Sequence, residues 1–176
     1  MQPCINLREF LEVLRANNQL LTIDTPVDPS LEIAEIHRRV IARGGPALLF
    51  TRVNNSRFPV VTNLFGTSLR LDLAFGKRPL NFVRGLVDLV ETAMPPGFGT
   101  LGQSRSLLAQ GLKVGLKTVK EAPILACCQR PARLTELPML TSWHSDGGPF
   151  VTLPPVYTEH PDGHGHNLGM YRIQRY

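Results

Sequence analysis

The sequence predicts an α+β fold in which an α/β layer domain, residues 1–120, is followed by a β-rich segment, residues 121–176. In the first part, apolar residues at helical spacing alternate with short apolar runs typical of strands. From about residue 121 the composition changes to β-branched residues, prolines and glycines, which strands and their turns prefer. This change places a domain boundary near residue 120.

The chain is predicted to begin as helix, strand, helix. Asn6 followed by Glu9 is typical of a capped helix start, and the apolar spacing continues that helix to about residue 17. Residues 20–23 form a short strand, and Ser30 is placed to cap the second helix. The buried face of that helix is predicted to consist of Leu31, Ala34, Val40 and Ile41.

The rest of the first domain is predicted to continue the alternation. Residues 47–50 and 59–63 are strands, and a helix begins at Thr67 or Ser68 and ends near Gly76. An amphipathic helix over residues 81–94 follows, and a weaker one is expected over 107–119. The inward residues of the 81–94 helix are predicted to be Phe82, Leu86, Leu89 and Val90.

The β-rich segment is predicted to open with a strand over residues 122–128 and to end in a hairpin. The first hairpin strand covers residues 151–158, and the turn covers residues 161–165, where glycines are free to adopt positive φ. Residues 168–173 form the second strand. Pro154-Pro155 interrupts the first strand, so an edge or a bulge is expected there.

Two side chains of the second hairpin strand have chemistry suited to a site. Asn167 offers a neutral oxygen for a hard cation, and Arg172 offers a permanently charged fork for a carboxylate or phosphate. They are five residues apart, and an odd offset places side chains on opposite faces of a strand unless the strand twists. The alternative is an ordinary hairpin with exposed polar residues.

The run Asn167-Leu168-Gly169-Met170-Tyr171-Arg172-Ile173-Gln174, preceded by the run from Asp146 to Thr152, resembles the UbiD family of reversible aromatic and α,β-unsaturated acid decarboxylases. The segments 7–14 and 45–50 follow the order of the same family. The resemblance therefore extends over the whole chain, and the Asn-Leu-Gly-Met-Tyr-Arg run is its most specific part.

The resemblance implies a fold, cofactors and site residues. Residues 121–176 would be the first strands of a split β-barrel that holds prenylated FMN together with Mn²⁺, or alternatively K⁺. Asn167 matches the metal-binding asparagine of the family. Met170, Tyr171 and Arg172 match the segment that contacts the cofactor, and Arg172 also matches the catalytic arginine that faces the substrate carboxylate.

Members of the family are several hundred residues long, and the resemblance implies that a metal-binding glutamate and the catalytic acid lie beyond Tyr176. The chain is therefore expected to be the N-terminal part of a decarboxylase, inactive alone, which works with the remainder of the same enzyme or with a second chain. An aromatic acid of quinone biosynthesis, menaquinone or ubiquinone, is the expected substrate. The alternative is a non-catalytic binding or assembly module that pairs with a partner chain through an open barrel edge.

Composition narrows the remaining possibilities. The net charge of +5 comes from scattered Lys and Arg residues, so no nucleic-acid partner is predicted. No apolar run is long enough for a transmembrane helix. The three cysteines are odd in number and two are adjacent, which favours a reducing cytoplasm. The full-length enzyme is expected to form a homo-oligomer.

A second constellation lies in the hairpin turn, where three histidines and two acids crowd together. Imidazoles with a carboxylate are ligands for zinc or nickel. Their spacing matches no common zinc motif and the turn is rich in glycine, so the sequence favours a solvated turn over a metal site. The residues are Glu159, His160, Asp162, His164 and His166.

Overall fold

The computed structural model describes residues 3–76, 78–92, 109 and 119–176. Within these residues the fold is mixed α and β, with strands gathered into small sheets. The helices are α1 Leu7–Ala16, α2 Glu32–Ala42, α3 Ser68–Phe75 and α4 Arg78–Thr92. The strands are β1 Leu20–Ile23, β2 Ala47–Phe50, β3 Val60–Thr62, β4 Phe150–Val151, β5 Pro155–Glu159, β6 His166–Met170 and β7 Ile173–Gln174.

The N-terminal sheet has the strand order β1-β2-β3. β1 and β2 are parallel, and helix α2 makes the crossover between them, as parallel neighbours require. β2 and β3 are antiparallel. The β-rich segment contains two separate antiparallel pairs, β4 with β7 and β5 with β6. The strands of the described residues do not close into a barrel.

Helix α1 begins where the sequence predicts. The Asn6 side-chain oxygen accepts a hydrogen bond from the Glu9 backbone N–H at 2.9 Å. The Glu9 carboxylate in turn accepts from the Ile5 backbone N–H at 3.0 Å, so the two side chains satisfy free amides at the helix start reciprocally. Phe10 and Leu14 are buried beneath the helix.

Helix α2 is present, but its predicted cap is wrong. Leu31, not Ser30, is the residue before the helix, and it has a φ of 67° with no side-chain cap. The predicted buried face is confirmed at Val40 and wrong at Ile41. Ile33 is fully buried, whereas Ile41 is 47% exposed. The residues that pack on the core from this helix are Ile33, Ile36 and Val40.

Helix α3 confirms its predicted start and end, because the Thr67 hydroxyl accepts from the Arg70 N–H and Gly76 follows the last turn with a φ of 69°. Helix α4 begins at Arg78, three residues earlier than predicted. Its predicted inward face is wrong at Leu86 and Val90, which are 40% and 60% exposed, because no described element covers them. Residues 93–108 and 110–118, with most of the predicted helix over 107–119, lie outside the described residues.

The strand predicted over residues 122–128 is also wrong. Pro123–Ala126 is a 3₁₀ turn, and Ile124 is 81% exposed. Pro123 cannot donate a ladder hydrogen bond, and a strand forms only when a neighbour pairs with it. The apolar character of residues 122–128 does not indicate whether a neighbouring strand is available to pair with them.

The buried core lies in the N-terminal part. One cluster, centred on Ile33, Leu48 and Phe50, fills the space between α2 and the sheet. A second, around Phe10, Leu14 and Leu73, joins α1 to α3. In the part of the chain that the structure describes, no helix combines the length and the hydrophobicity that crossing a bilayer requires.

Candidate active site

The site predicted around Asn167 and Arg172 lies where the chain passes from one strand pair to the other. β6 pairs with β5 and ends at Met170, and β7 pairs with β4 and begins at Ile173. Tyr171 and Arg172 lie in the break between them. The first hairpin strand is interrupted as well, between Val151 and Pro155, as the Pro154-Pro155 pair predicts.

The odd spacing of Asn167 and Arg172 would place them on opposite faces of one continuous strand, which conflicts with a shared site. The break between β6 and β7 removes this conflict. The alternation of faces holds only within one continuous strand. Because the backbone leaves β6 before Arg172, the odd offset no longer places the two side chains on opposite faces of one sheet. The hairpin itself is regular, with Thr158 opposite Asn167 and Val156 opposite Gly169.

Arg172 forms a bidentate ion pair with Asp146, which lies 26 residues earlier in the chain. Its Nη1 donates to Oδ1 of Asp146 at 2.9 Å, and its Nη2 donates to Oδ2 at 2.6 Å. The backbone N–H groups of Ser142 and Trp143 donate to the same Oδ2 at 3.0 and 3.1 Å. The Asp146 side chain is only 9% exposed, and its carboxylate is held by the backbone as well as by the arginine.

Phe150 holds the guanidinium from a second direction. The guanidinium carbon of Arg172 lies 3.7 Å from the centre of the Phe150 ring, within the range of a cation–π contact. The Arg172 side chain nevertheless remains 40% exposed. The guanidinium is therefore oriented by protein groups while part of it stays open to a ligand.

The ion pair sets the charge of both partners. The hydrogen bond from Arg172, supported by those from Ser142 and Trp143, lowers the pKa of Asp146 to about 2. The hydrogen bond to Asp146 raises the pKa of Arg172 further. Both groups are ionised at neutral pH, as a charge-assisted fork requires.

Asn167 is held by the residue next to Arg172. Its side-chain nitrogen donates to the Tyr171 hydroxyl at 3.0 Å. The Tyr171 ring lies directly over Gly169, where an added Cβ would be 2.6 Å from the ring. Within the described residues the Asn167 side-chain oxygen accepts no hydrogen bond. That oxygen is a neutral ligand of the kind that Mn²⁺ and other hard cations accept.

The residues predicted to contact the cofactor lie on an accessible surface. Met170 is 66% exposed and Tyr171 is 51% exposed. The structure thus joins two of the predicted residues, Asn167 and Tyr171, and pairs a third, Arg172, with Asp146, which was not predicted as a site residue. Within the described residues, the group of three potential His, Cys, Asp or Glu ligands lies in the hairpin turn, at His160, Asp162 and His164, and not at Asn167.

Sequence reasoning missed Asp146 and Phe150. The Asp146-Gly147-Gly148 run predicts only a tight turn that lets backbone approach a ligand. The hydrogen-bonded turn lies just before this run, since the Asp146 N–H donates to the Trp143 oxygen at 3.0 Å, and the close neighbour of Gly147 is the Gln174 side chain. An acid followed by two glycines, in the same β-rich segment as Arg172, was the available signal.

An open cleft of about 1350 Å³ lies next to the residues that contact Asp146 and Arg172. It lies between helix α2, strand β3 and the segment 137–153, and Ser142, Trp143 and Phe150 line it. The cleft therefore reaches the residues that hold Asp146 and Arg172, although neither Asn167 nor Arg172 lines it.

The histidine-rich turn gathers part of its predicted cluster. Potential ligand atoms of His160, Asp162 and His164 lie within 4.8 Å of one another, and all three residues are exposed. The Asp162 N–H already donates to Nδ1 of His160 at 3.1 Å, and His166 packs beside Tyr157 instead. These features agree with a solvated turn, which stays a prediction.

Comparison with known protein families accounts for most of the chain. The model of the 3-octaprenyl-4-hydroxybenzoate carboxy-lyase N-terminal domain of the UbiD family matches residues 11–90. The model of the 3-octaprenyl-4-hydroxybenzoate carboxy-lyase Rift-related domain of the same family matches residues 117–176.

Curated relatives are similar over nearly the whole chain. An uncharacterized protein of Chlamydia muridarum is 50% identical over 174 residues, and a component of the 4-hydroxybenzoate decarboxylase of Chlamydia pneumoniae is 45% identical over 170 residues. Each match covers 97% of this chain and 29% of the relative. The chain thus spans less than a third of the length of these relatives.

Solved structures have the same fold over this region. Vanillic acid decarboxylase from Sedimentibacter hydroxybenzoicus in its closed form gives a TM-score of 0.74 at 25% identity, covering 100% of this chain and 36% of that one. An evolved dimeric form of the UbiD-class enzyme HmfF from Pelotomaculum thermopropionicum, in complex with prFMN, gives 0.68 at 26% identity, covering 95% and 35%. With both parts matched by models of one family, the chain belongs to the UbiD family of carboxy-lyases.

Proposed function

We propose that this chain contributes the metal-binding asparagine and the carboxylate-binding arginine to a non-oxidative decarboxylase of aromatic or α,β-unsaturated acids. The observation that carries the proposal is the Arg172 guanidinium. It is fixed by Asp146 and Phe150 and still 40% exposed, beside a segment that presents the free side-chain oxygen of Asn167. A charged fork and a hard-cation ligand within six residues suit an acid substrate and a cofactor phosphate.

We propose prenylated FMN as the cofactor, and the residues present fit it. Asn167 would coordinate the Mn²⁺ or K⁺ that fixes the cofactor phosphate, because its nitrogen donates to Tyr171 and its oxygen accepts no hydrogen bond from the residues that the structure describes. Met170, Tyr171 and Arg172 form the accessible surface that would face the flavin. When bound, the modified flavin supplies the electron-accepting centre that carbon dioxide loss requires.

Arg172 binds and orients the substrate in this proposal. Its charge is permanent, so it attracts a carboxylate at any physiological pH. Held against Phe150, it loses little further side-chain freedom on binding. The guanidinium would fix the scissile carboxylate against the cofactor, and the neighbouring apolar groups would exclude water from it.

We further propose that residues 121–176 are the opening strands of a split β-barrel, with the domain boundary near residue 120. The antiparallel β4–β7 and β5–β6 pairs are consistent with such strands. The remaining strands, a metal-binding glutamate and the catalytic acid would come from the remainder of the enzyme or a second chain, in a homo-oligomer. Exposed free thiols at Cys127 and Cys128 favour a cytoplasmic location.

The substrate class is an aromatic acid. Two relatives support this choice by their names, the 4-hydroxybenzoate decarboxylase component of Chlamydia pneumoniae and the vanillic acid decarboxylase of Sedimentibacter hydroxybenzoicus. We propose a role in quinone biosynthesis, with a dihydroxynaphthoate preferred over a polyprenyl-4-hydroxybenzoate.

The test is decarboxylation by the full-length protein, produced with a source of prenylated FMN and supplied with Mn²⁺. Carbon dioxide release is measured on a panel of hydroxybenzoates, a dihydroxynaphthoate and a non-aromatic saturated acid. We expect turnover of at least one aromatic acid, dependent on the cofactor source, and none of the saturated acid. A cofactor-loaded protein that turns over no member of the panel would refute the proposed activity.

A further inference from the structure

The contacts of Arg172 divide its guanidinium into a used edge and a free edge. Asp146 takes one hydrogen bond from each terminal nitrogen, Nη1 and Nη2. A guanidinium carries five N–H groups. Besides the Nη1–Nη2 edge, a second edge is able to donate two parallel hydrogen bonds, one from Nε–H and one from the Nη2 hydrogen on the same side. Within the described residues this second edge donates to no acceptor.

We propose that Asp146 is the positioning residue of Arg172, holding it by the Nη1–Nη2 edge so that the Nε–Nη2 edge is presented to the substrate carboxylate. This inference rests on the proposed function, since it names the group that orients the proposed carboxylate-binding arginine. Asp146 touches Arg172 and not the substrate.

Asp146 is suited to act as a fixed reference point. Its carboxylate is held by two backbone N–H groups, those of Ser142 and Trp143, independently of Arg172. The side chain is 9% exposed, whereas that of Arg172 is 40% exposed. The acid is therefore the more buried partner and has its own backbone hydrogen bonds, so in this inference it orients the arginine.

Phe150 completes the orientation by covering one face of the guanidinium. It belongs to β4, and its register partner Gln174 lies two residues after Arg172 in β7. The same strand pair that carries the aromatic ring thus ties down the backbone beside the arginine. One edge and one face are occupied, and the substrate approaches the edge that remains.

The arrangement predicts a specific kinetic effect. Without Asp146, Arg172 keeps its charge and still attracts a carboxylate, but it loses its orientation. Substrate binding should persist or tighten, because a competing anion has been removed, while the carboxylate is held in the wrong place for reaction. Misplacement by about 1 Å costs on the order of 100-fold in rate.

The experiment compares Asp146→Asn with the wild type in full-length, cofactor-loaded enzyme. Asn keeps the size of the side chain but offers Arg172 one acceptor oxygen and an opposing NH₂ group. We expect kcat to fall by roughly 10- to 100-fold with KM unchanged or lower. Asp162→Asn, which alters a 74% exposed acid in the hairpin turn, is the matched control and should leave both constants unchanged.

A crystal structure of the Asp146→Asn protein gives a readout independent of turnover. We expect Arg172 to leave the position that Asp146 defines. An unchanged kcat, or an Arg172 that keeps its place without the carboxylate, would overturn the inference. Where Asp146→Asn does not fold, Asp146→Glu serves: it keeps the charge and moves the acceptors by one methylene, and it should lower kcat while KM holds.

The two proposals fail in different ways. If Arg172→Ala retains full turnover, the proposed role of the arginine is wrong whatever Asp146 does. If Arg172→Ala abolishes turnover and Asp146→Asn does not reduce it, the proposed function stands and the positioning role is wrong.

Discussion

The two ends of the chain are stabilised in different ways. The three-stranded sheet and helices α1 to α3 enclose side chains that are completely buried, among them Leu14, Ile33, Leu48 and Phe50. From residue 119 onward, no described residue is buried. Two-stranded pairs there are joined by hydrogen bonds, one bidentate ion pair and a cation–π contact.

The difference separates folding from function. An isolated two-stranded pair is marginally stable, so the C-terminal pairs need further contacts for independent stability. The same openness leaves Met170, Tyr171 and Arg172 accessible to a ligand. We infer that the N-terminal part serves as the scaffold and that the C-terminal strands carry the chemistry.

The largest effect is expected in the scaffold. Leu48 and Leu21 are register partners on neighbouring strands, yet Leu48 is fully buried and Leu21 is 51% exposed. Leu48→Ala should destabilise the sheet by about 2–5 kcal/mol through lost burial and a cavity. Leu21→Ala, the same chemical change, should cost under about 1 kcal/mol.

Hydrogen exchange of the β1 and β2 amides in the full-length protein measures this difference. The β5–β6 amides should exchange at the wild-type rate in both variants if the two regions are independent. Equal effects of the two substitutions on β1 and β2 would contradict the burial difference.

A smaller effect is expected at Asn167, the proposed metal ligand. Asn167→Ala removes the free side-chain oxygen, so Mn²⁺ retention by the full-length enzyme should weaken by roughly 10- to 100-fold. Electron paramagnetic resonance of free Mn²⁺ during titration provides the measurement. Asn54→Ala, on an exposed turn, is the control, and equal retention by both variants would remove Asn167 from the metal site.

The smallest effect is the acid dependence of the Asp146–Arg172 pair. The pKa of Asp146 is lowered from 3.8 to about 2 in the folded protein, so the pair stabilises the fold fully above about pH 4. That contribution is lost as the pH falls through about 2, where the folded carboxylate takes up its proton.

The thermal unfolding midpoints of wild type and Asp146→Asn, compared between pH 2 and 7, test this dependence. Their difference should be constant from neutral pH to about 4 and should shrink towards pH 2. A difference between the two midpoints that grows as the pH falls would contradict a stabilising Asp146–Arg172 pair.

Local signals were the part of the fold that the sequence predicted well. The Asn6–Glu9 cap of α1 and the Thr67 start of α3 depend on neighbours within four residues, and both are confirmed. The Ser30 cap of α2 was wrong because the helix begins after Leu31, whose left-handed backbone no propensity would favour. The strand over 122–128 failed because strand formation requires a partner that a local pattern does not contain.

The candidate site shows the same division. Asn167 and Arg172 were identified by a contiguous run of residues, whereas Asp146 and Phe150 act through contacts across 26 and 22 positions. The second hairpin strand stops before Arg172 because the residues after it, β7, pair with β4 and not with β5. That pairing is a tertiary property, and it decides whether Asn167 and Arg172 are able to serve one site.

The central claim is that Arg172 binds the carboxylate that the enzyme removes. The most direct measurement is carbon dioxide release by Arg172→Ala in full-length, cofactor-loaded enzyme, beside Arg43→Ala at the exposed end of α2. The account predicts that Arg172→Ala retains the fold and the flavin but loses turnover, while Arg43→Ala matches the wild type. Wild-type turnover by Arg172→Ala would contradict it.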